Sequence, residues 1–328
     1  MFSASIICHL QQQVFDNLQT QVVISLDTLS FKFILITLLI GAATNLYIPI
    51  YMKKEPHINR FVLLINGFLF SMLILLASGN LITLLVGWEL IGIFSYLLIN
   101  FWTVKITAFK SAFKALTYNQ VSDLSLILGM VLYFNEFSTL NFAEINSSPT
   151  FGRVGIVAVL LFYISACCKS AQFFFHFWLP DSMEAPVPAS ALIHSATLVS
   201  AGIFLILKMK PIVNQSLLLE TVIIISATLT IIVGGVSATL QNDLKKTLAY
   251  STISNCGLIM LSTCITTVDN SYLLFAIHGI FKAYTFFCVG SLIIVHAHKQ
   301  DWRYVSAVSA THPSLAVVTI FSLYNLGA

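Results

Sequence analysis

Six ionisable side chains stand where a strongly apolar sequence leaves least room for charge. Glu89 lies in LITLLVGWELIGIFSYLLINFW, Asp123 in YNQVSDLSLILGM, and Lys169 closes an apolar run over 154–168. His194 lies in a second apolar run, and His278 and Lys282 share FAIHGIFKAYTFF. A charge inside hydrocarbon costs roughly 3 kcal/mol on insertion scales, so such residues commonly mark ion pathways and proton relays. Burial disfavours the charged form of an amine and of a carboxylate, whereas pairing them restores both charges. A Glu89–Lys169 pair can therefore switch between a paired, charged state and a separated one. A static ion pair that only specifies packing is the competing reading.

The other groups carry similar alternatives. Glu89 alone reads equally as a neutral carboxyl hydrogen-bonded to a neighbouring helix. Asp123 lies nearer a helix end, where it can be solvated. His194 by itself is as well explained as a hydrogen-bonded core residue. His278 and Lys282 are four residues apart and so share one helix face. Two titratable groups stacked one turn apart in lipid are hard to explain as packing, and imidazole suits a proton relay near neutral pH. His296 and His298, at the basic end of the same helix, read as interfacial.

Between Lys169 and His194 lie Pro180, Pro186 and Pro188, which cannot continue a helix. Irregular backbone at membrane depth is tolerated only where protein covers it or where it lines a cavity, and transporters place their sites at such breaks. Asp181 and Glu184 in this stretch read as solvated if it is an ordinary interfacial loop. The segment 165–197 otherwise reads as the moving part of an ion-translocating membrane subunit.

Composition supports a membrane setting. Hydrophobic residues make up 58% of the 328-residue chain and charged residues 9%, against about 25% charged in soluble globular domains. Mean hydropathy is +0.91. Apolar runs near 20 residues predict helices, not the short alternating strands of a barrel. The fold class expected is all-α, a polytopic transmembrane bundle. A net charge of +3, scattered along the chain, excludes nucleic acid as a partner. The cysteines (Cys8, Cys167, Cys168, Cys256, Cys264 and Cys288) form no C-x-x-C pair, and no iron–sulfur, zinc or nucleotide-binding spacing occurs. No cofactor or metal is expected on this chain, and the cysteines read as small packing residues.

Spans are predicted at 28–50, 61–78, 81–103, 115–134, 154–177, 188–207, 216–238, 247–266, 271–297 and 306–326, about ten helices, after a non-spanning segment 1–26 without a secretory n-region. The only long polar connection is 135–152. Alternate connections hold Lys53, Lys54, Arg60, Lys105, Lys110, Lys114, Lys245, Lys246, Lys299 and Arg303, and the opposite side holds Arg153, Lys208 and Lys210. This bias places the lysine-rich side toward the cytoplasm or matrix. Abundant Phe, Ile, Leu, Tyr and Asn suggest an A+T-rich organellar gene, hence a mitochondrial inner membrane, with a bacterial plasma membrane as the alternative.

Several stretches, in order, resemble the chain 5 family of antiporter-like subunits of respiratory complex I (NADH:ubiquinone oxidoreductase), relatives of Mrp-type sodium/proton antiporters. They include Gly87-Trp88-Glu89, Tyr118-Asn119-Gln120 with Asp123, Lys169-Ser170-Ala171-Gln172, Trp178-Leu179-Pro180-Asp181, Met183-Glu184-Ala185-Pro186 and Ser190-Ala191-Leu192-Ile193-His194. Gln241-Asn242-Asp243-Leu244-Lys245, Leu248-Ala249-Tyr250-Ser251-Thr252 and His278 with Phe281-Lys282-Ala283 follow. The resemblance covers about 27–328. It implies an inverted-repeat architecture, with a first antiporter-like repeat at 27–210 and a partial second repeat at 211–328. It also implies a proton-translocating membrane-arm subunit, with flavin, iron–sulfur clusters and ubiquinone on other subunits. Within it, Glu89 and Lys169 form the first half-channel's switch with Asp123 nearby. His194 leads toward the second repeat, and His278 and Lys282 belong to the hydrophilic axis.

Against the family pattern, the first two helices and the elements beyond Ala328 are missing, so a separate chain is expected to supply the C-terminal helices. Phe174 replaces a proline, which implies a softer break after Lys169, and Leu274 replaces a histidine one turn before His278. Two other functions remain open on the residues: a structural membrane-arm subunit with a decayed proton path, and an Mrp-type sodium/proton antiporter subunit.

Overall fold

The computed structural model describes residues 23–147, 152–296, 300, 301 and 303. Residues 1–22 with Cys8, the predicted span 306–326, His298 and Lys299 lie outside the described residues. The described chain is helical, with only isolated bridges as extended pairing (Ile24–Ser78, Asn80–Asn141, Asp243–Asp301). In order, the helices are α1 Thr28–Tyr51, α2 Ile58–Leu76, α3 Leu81–Ile99, α4 Ile106–Phe137, α5 Phe142–Ser147 and α6 Arg153–Lys169. Then come α7 Trp178–Asp181, a 3-10 turn Ser182–Glu184, α8 Val187–Ser195, α9 Leu198–Lys208, α10 Lys210–Val213, α11 Leu217–Thr239, α12 Leu244–Ile265 and α13 Val268–Val295.

Among the described residues, seven helical stretches are long and apolar enough to cross a bilayer, with α8 and α9 acting together as one of them (Val187–Lys208). The α8–α9 rod is wholly buried, packing on α1, α13 and α6. Around the bundle, Leu46, Leu63, Phe70, Val86, Ile93, Leu124, Ile225 and Ile232 are exposed, a lipid-facing girdle. At 32 residues, α4 outruns the expected span 115–134. A helix rises 1.5 Å per residue, so its first turns, with Lys110 and Lys114, project beyond ~30 Å of hydrocarbon.

The expected span 154–177 is not continuous: α6 stops at Lys169. The break is not softened by the replacement of proline with Phe174. Ala171 and Phe174 both take left-handed backbone, φ 51° and 71°. That conformation costs roughly 1–2 kcal/mol for a non-glycine residue, and the surroundings hold it. Three of the carbonyls freed at the end of α6 are taken up. Ser170 N and Oγ donate to Ala166 O at 2.8 and 2.7 Å, Gln172 N donates to Cys167 O at 3.0 Å, and Trp178 Nε1 donates to Cys168 O at 3.0 Å. A break can form without a proline where other groups donate to the carbonyls it frees. Trp178→Phe leaves the Cys168 carbonyl without its donor and should cost about 1–3 kcal/mol, read as a lower unfolding temperature of the purified assembly.

The span 188–207 holds a second interruption that its sequence did not announce. Helix α8 ends at Ser195, Ala196 and Thr197 leave helical geometry, and α9 resumes at Leu198. Hydroxyls fill the gap: Thr197 Oγ1 donates to Leu192 O at 2.8 Å, and Ser200 Oγ lies 2.7 and 2.8 Å from the carbonyls of Ala196 and Thr197. The lysine-rich and lysine-poor ends predicted from the loops are both visible. Lys114 pairs with Asp181 at one end, and Lys208 pairs with Asp27 and Lys32 with Asp269 at the other.

Candidate functional site

Lys169 sits at the last residue of α6, wholly buried in the bundle. Its ammonium donates to Trp88 O at 3.1 Å and stands 5.5 Å from the Trp88 ring centroid. Gly92, one turn beyond Trp88 on α3, gives the ammonium room: a Cβ there would lie 3.3 Å from Lys169 Nζ and 3.5 Å from Asn119 Nδ2. Trp88 is itself fixed, donating through Nε1 to Ser122 Oγ at 3.0 Å, and Ser122 in turn donates to Ser165 O at 3.0 Å.

The expected Glu89–Lys169 ion pair is not formed. Among the described residues no carboxylate lies within 4 Å of Lys169, and the ion pairs there involve other residues. The reason is helical phase. On α3 the positions Trp88, Ile91, Gly92 and Ser95 face inward, which turns Glu89 outward on the stripe of Val86 and Ile93, exposed on this chain's surface. Asp123 is the better placed acid. It is half-buried on α4 and its Oδ1 is buried with no hydrogen-bond partner, whereas Glu89 is exposed. Glu89 remains within electrostatic reach of both. Asp123 is thus not a solvated helix-end residue.

A second cluster forms where α8, α12 and α13 meet. His278 and Lys282 are both buried on one face of α13. Lys282 Nζ donates to Leu248 O at 3.2 Å and to the Ser251 hydroxyl. The His278 ring lies beside the His194 backbone, with neither ring nitrogen in hydrogen-bond geometry. His194, also wholly buried, exchanges a hydrogen bond with Ser182 Oγ at 3.1 Å through Nε2, while its Nδ1 has no partner. Lys282 is electrostatically coupled to both histidines. Among the described residues no direct hydrogen bond joins this cluster to that of Lys169.

Three buried groups were not singled out from the sequence. Lys245 and Lys208, counted there as loop charges, are 2% and 6% exposed. Lys245 donates to Met183 O and Ala185 O at 3.2 and 3.1 Å, and Lys208 pairs with Asp27 at 3.1 Å and donates to Ser78 O at 3.0 Å. His176 is buried in the break after α6, its ring 4.2 Å from that of Phe177. The available signal was position, since Lys245 lies at a helix start and His176 within the Lys169–Pro188 stretch. Asp181 and Glu184 are half-buried: Asp181 pairs with Lys114 at 2.7 Å, and Glu184 accepts from Thr107 at 3.3 Å.

Buried amines held by carbonyls, hydroxyls and a ring face, near histidines and an unpartnered carboxylate oxygen, are groups that can accept and release protons. Set on interrupted helices in a lipid-girdled bundle, they define a polytopic membrane protein with titratable groups in its interior. The family model described as "NADH:quinone oxidoreductase/Mrp antiporter, TM" matches residues 78–328, and the chain belongs to that family. It is 45% identical over 313 residues to NADH-ubiquinone oxidoreductase chain 5 of Paramecium tetraurelia, an alignment covering 92% of this chain and 55% of the relative. Chain 5 of Arabidopsis thaliana is 36% identical over 314 residues, covering 92% and 47%. Among solved structures, that of the Mrp complex from Dietzia sp. matches with a TM-score of 0.76 and 29% identity, over 83% of this chain and 30% of the other. The chain spans about half the length of the curated relatives it matches.

Proposed function

We propose that this chain conducts protons across the mitochondrial inner membrane as a membrane-arm subunit of an NADH:ubiquinone oxidoreductase, with NADH oxidation and quinone reduction on other subunits. The observation that carries the reading is Lys169: a wholly buried ammonium at a capped helix break, with no carboxylate within 4 Å among the described residues and an unpartnered Asp123 oxygen in its field. Such a group is costly to keep in place and fits a residue that changes its charge during a cycle. Asp123 and Lys169 belong to the first half of the path, with Glu89 on its outer flank. His194, His278 and Lys282 belong to the second, and the repeats span 27–210 and 211–328.

The test reconstitutes the purified native assembly in vesicles and measures protons moved per NADH oxidised. Asp123→Asn should lower that ratio more than Glu89→Gln, because Asp123 holds a buried, unpartnered oxygen while Glu89 is turned outward. Equal ratios in wild type and Asp123→Asn would remove Asp123 from the path. Flavin and iron–sulfur subunits are expected to co-migrate with the chain.

The likeness to the Mrp complex favours one other reading, a sodium/proton exchanger subunit. It predicts proton movement driven by an imposed sodium gradient without NADH. The proposed reading predicts none.

A further inference from the structure

Two cavities open at the lysine-rich end, and they differ in charge. The smaller, about 350 Å³, lies between α4, the 178–184 turns and the start of α12. Its charges are near balance, Lys110, Lys114, Lys246 and the shared Lys245 against Asp181, Glu184 and Asp243, with Lys114 on Asp181 at 2.7 Å and Lys246 on Asp243 at 3.6 Å. The larger, about 930 Å³, is bounded by the end of α1 and the loop after it, the loop before α4, the first turn of α12 and the end of α13. Lys53, Lys54, Lys105 and Lys245 line it against a single acid, Glu55. Among the described residues none of these four lysines has a carboxylate within 4 Å.

The cavity wall has two chemistries. Lys105 Nζ stands 4.3 Å over the Trp102 ring, and Lys245 is buried with only the Met183 and Ala185 carbonyls as acceptors. Ile50, Ile293, Ile294 and Val295 provide an aliphatic side. Surplus ammonium groups beside an aliphatic wall suit a molecule with a phosphate at one end and hydrocarbon at the other. We propose that this cavity holds the headgroup of an anionic phospholipid, with its phosphodiester among the lysines and the first acyl carbons along the α13 wall. The volume falls within the ~300–1,000 Å³ of ordinary ligand sites. The location fits as well: the lysine-rich side faces the leaflet whose anionic lipids attract basic pockets between helices.

The experiment uses the native assembly, delipidated and incubated with phosphatidylcholine vesicles with or without photoreactive phosphatidylglycerol, followed by adduct mapping. Adducts on Trp102 and residues 293–295 are expected, weakening as salt is raised and absent with photoreactive phosphatidylcholine. The triple substitution Lys53→Gln, Lys54→Gln, Lys105→Gln removes three exposed side chains outside both buried clusters. It should cut labelling at least about fivefold, since one lysine near an anionic surface is worth about that factor. Labelling unchanged in the triple variant, or equal with phosphatidylcholine, overturns the proposal. So does a cavity that retains inorganic phosphate while excluding the lipid probe, or one whose Lys54 cross-links instead to residues 304–328 of the chain itself.

Discussion

Replacing Lys169 with methionine is expected to abolish most proton movement through this chain while the assembly still forms. Methionine keeps the side chain's length and apolar stem, so no cavity opens in the bundle. No contact ion pair is broken either, because among the described residues no carboxylate lies within 4 Å of the ammonium. Exchanging buried charges for well-packed apolar groups is often neutral or stabilising by about 1–4 kcal/mol. The Trp88 carbonyl loses a donor, an opposing cost of about 1–3 kcal/mol. The two effects nearly cancel, so assembly on native gels should match wild type. Proton transfer by a positioned side chain contributes about 10²–10⁴-fold in rate, and flux through this chain should fall by at least the lower figure. The readout is the proton-to-electron ratio with NADH as donor. A wild-type ratio would show that Lys169 carries no proton.

Gly202→Ala should be the most damaging single methyl in the bundle. A Cβ at Gly202 would stand 2.4 Å from Ala166 O and 3.1 Å from Ser170 Cβ. The blocking atom is a backbone oxygen, which cannot swing aside like a side-chain tip. It also accepts from both the amide and the hydroxyl of Ser170, so moving it disturbs the cap that ends α6 next to Lys169. Overpacking of this kind costs about 1–3 kcal/mol, and loss of either cap bond adds about 1 kcal/mol. Thermal unfolding of the purified assembly should show a clear drop, with slower pumping in what survives. Ala201→Gly, one residue away, adds no atom to this contact and serves as the control. Unfolding of the Gly202→Ala assembly at the wild-type temperature would show that α9 does not press on the end of α6.

Much of the arrangement was legible from residue type and spacing. Lysine or histidine within an apolar run stands out, and the four-residue step from His278 to Lys282 places both on one face whatever the tertiary fold. Glu89 shows the limit. In a soluble helix the apolar stripe marks the buried face, but here lipid and interior are both apolar. Val86 and Ile93 outside look like Leu84 and Ile91 inside, so the sequence does not say which way Glu89 turns. Lys245 was misjudged for a related reason. A lysine at a helix start is ordinarily solvated, and only the turn at Met183–Ala185, some 60 residues away in sequence, covers it. The interruption at Ala196 and Thr197 has no proline to announce it, because hydroxyls supply the donors and acceptors that a continuous helix would provide internally.

That interruption also stands between the two buried clusters. His194 rides on α8, whereas the contact with the end of α6, and so with Lys169, is made by Gly202 on α9. Two short rods meeting at a hydroxyl-lined joint need not turn together, unlike a single 22-residue shaft. A displacement at the end of α6 would therefore reach α9 first, and reach His194 only through the joint at Ala196 and Thr197.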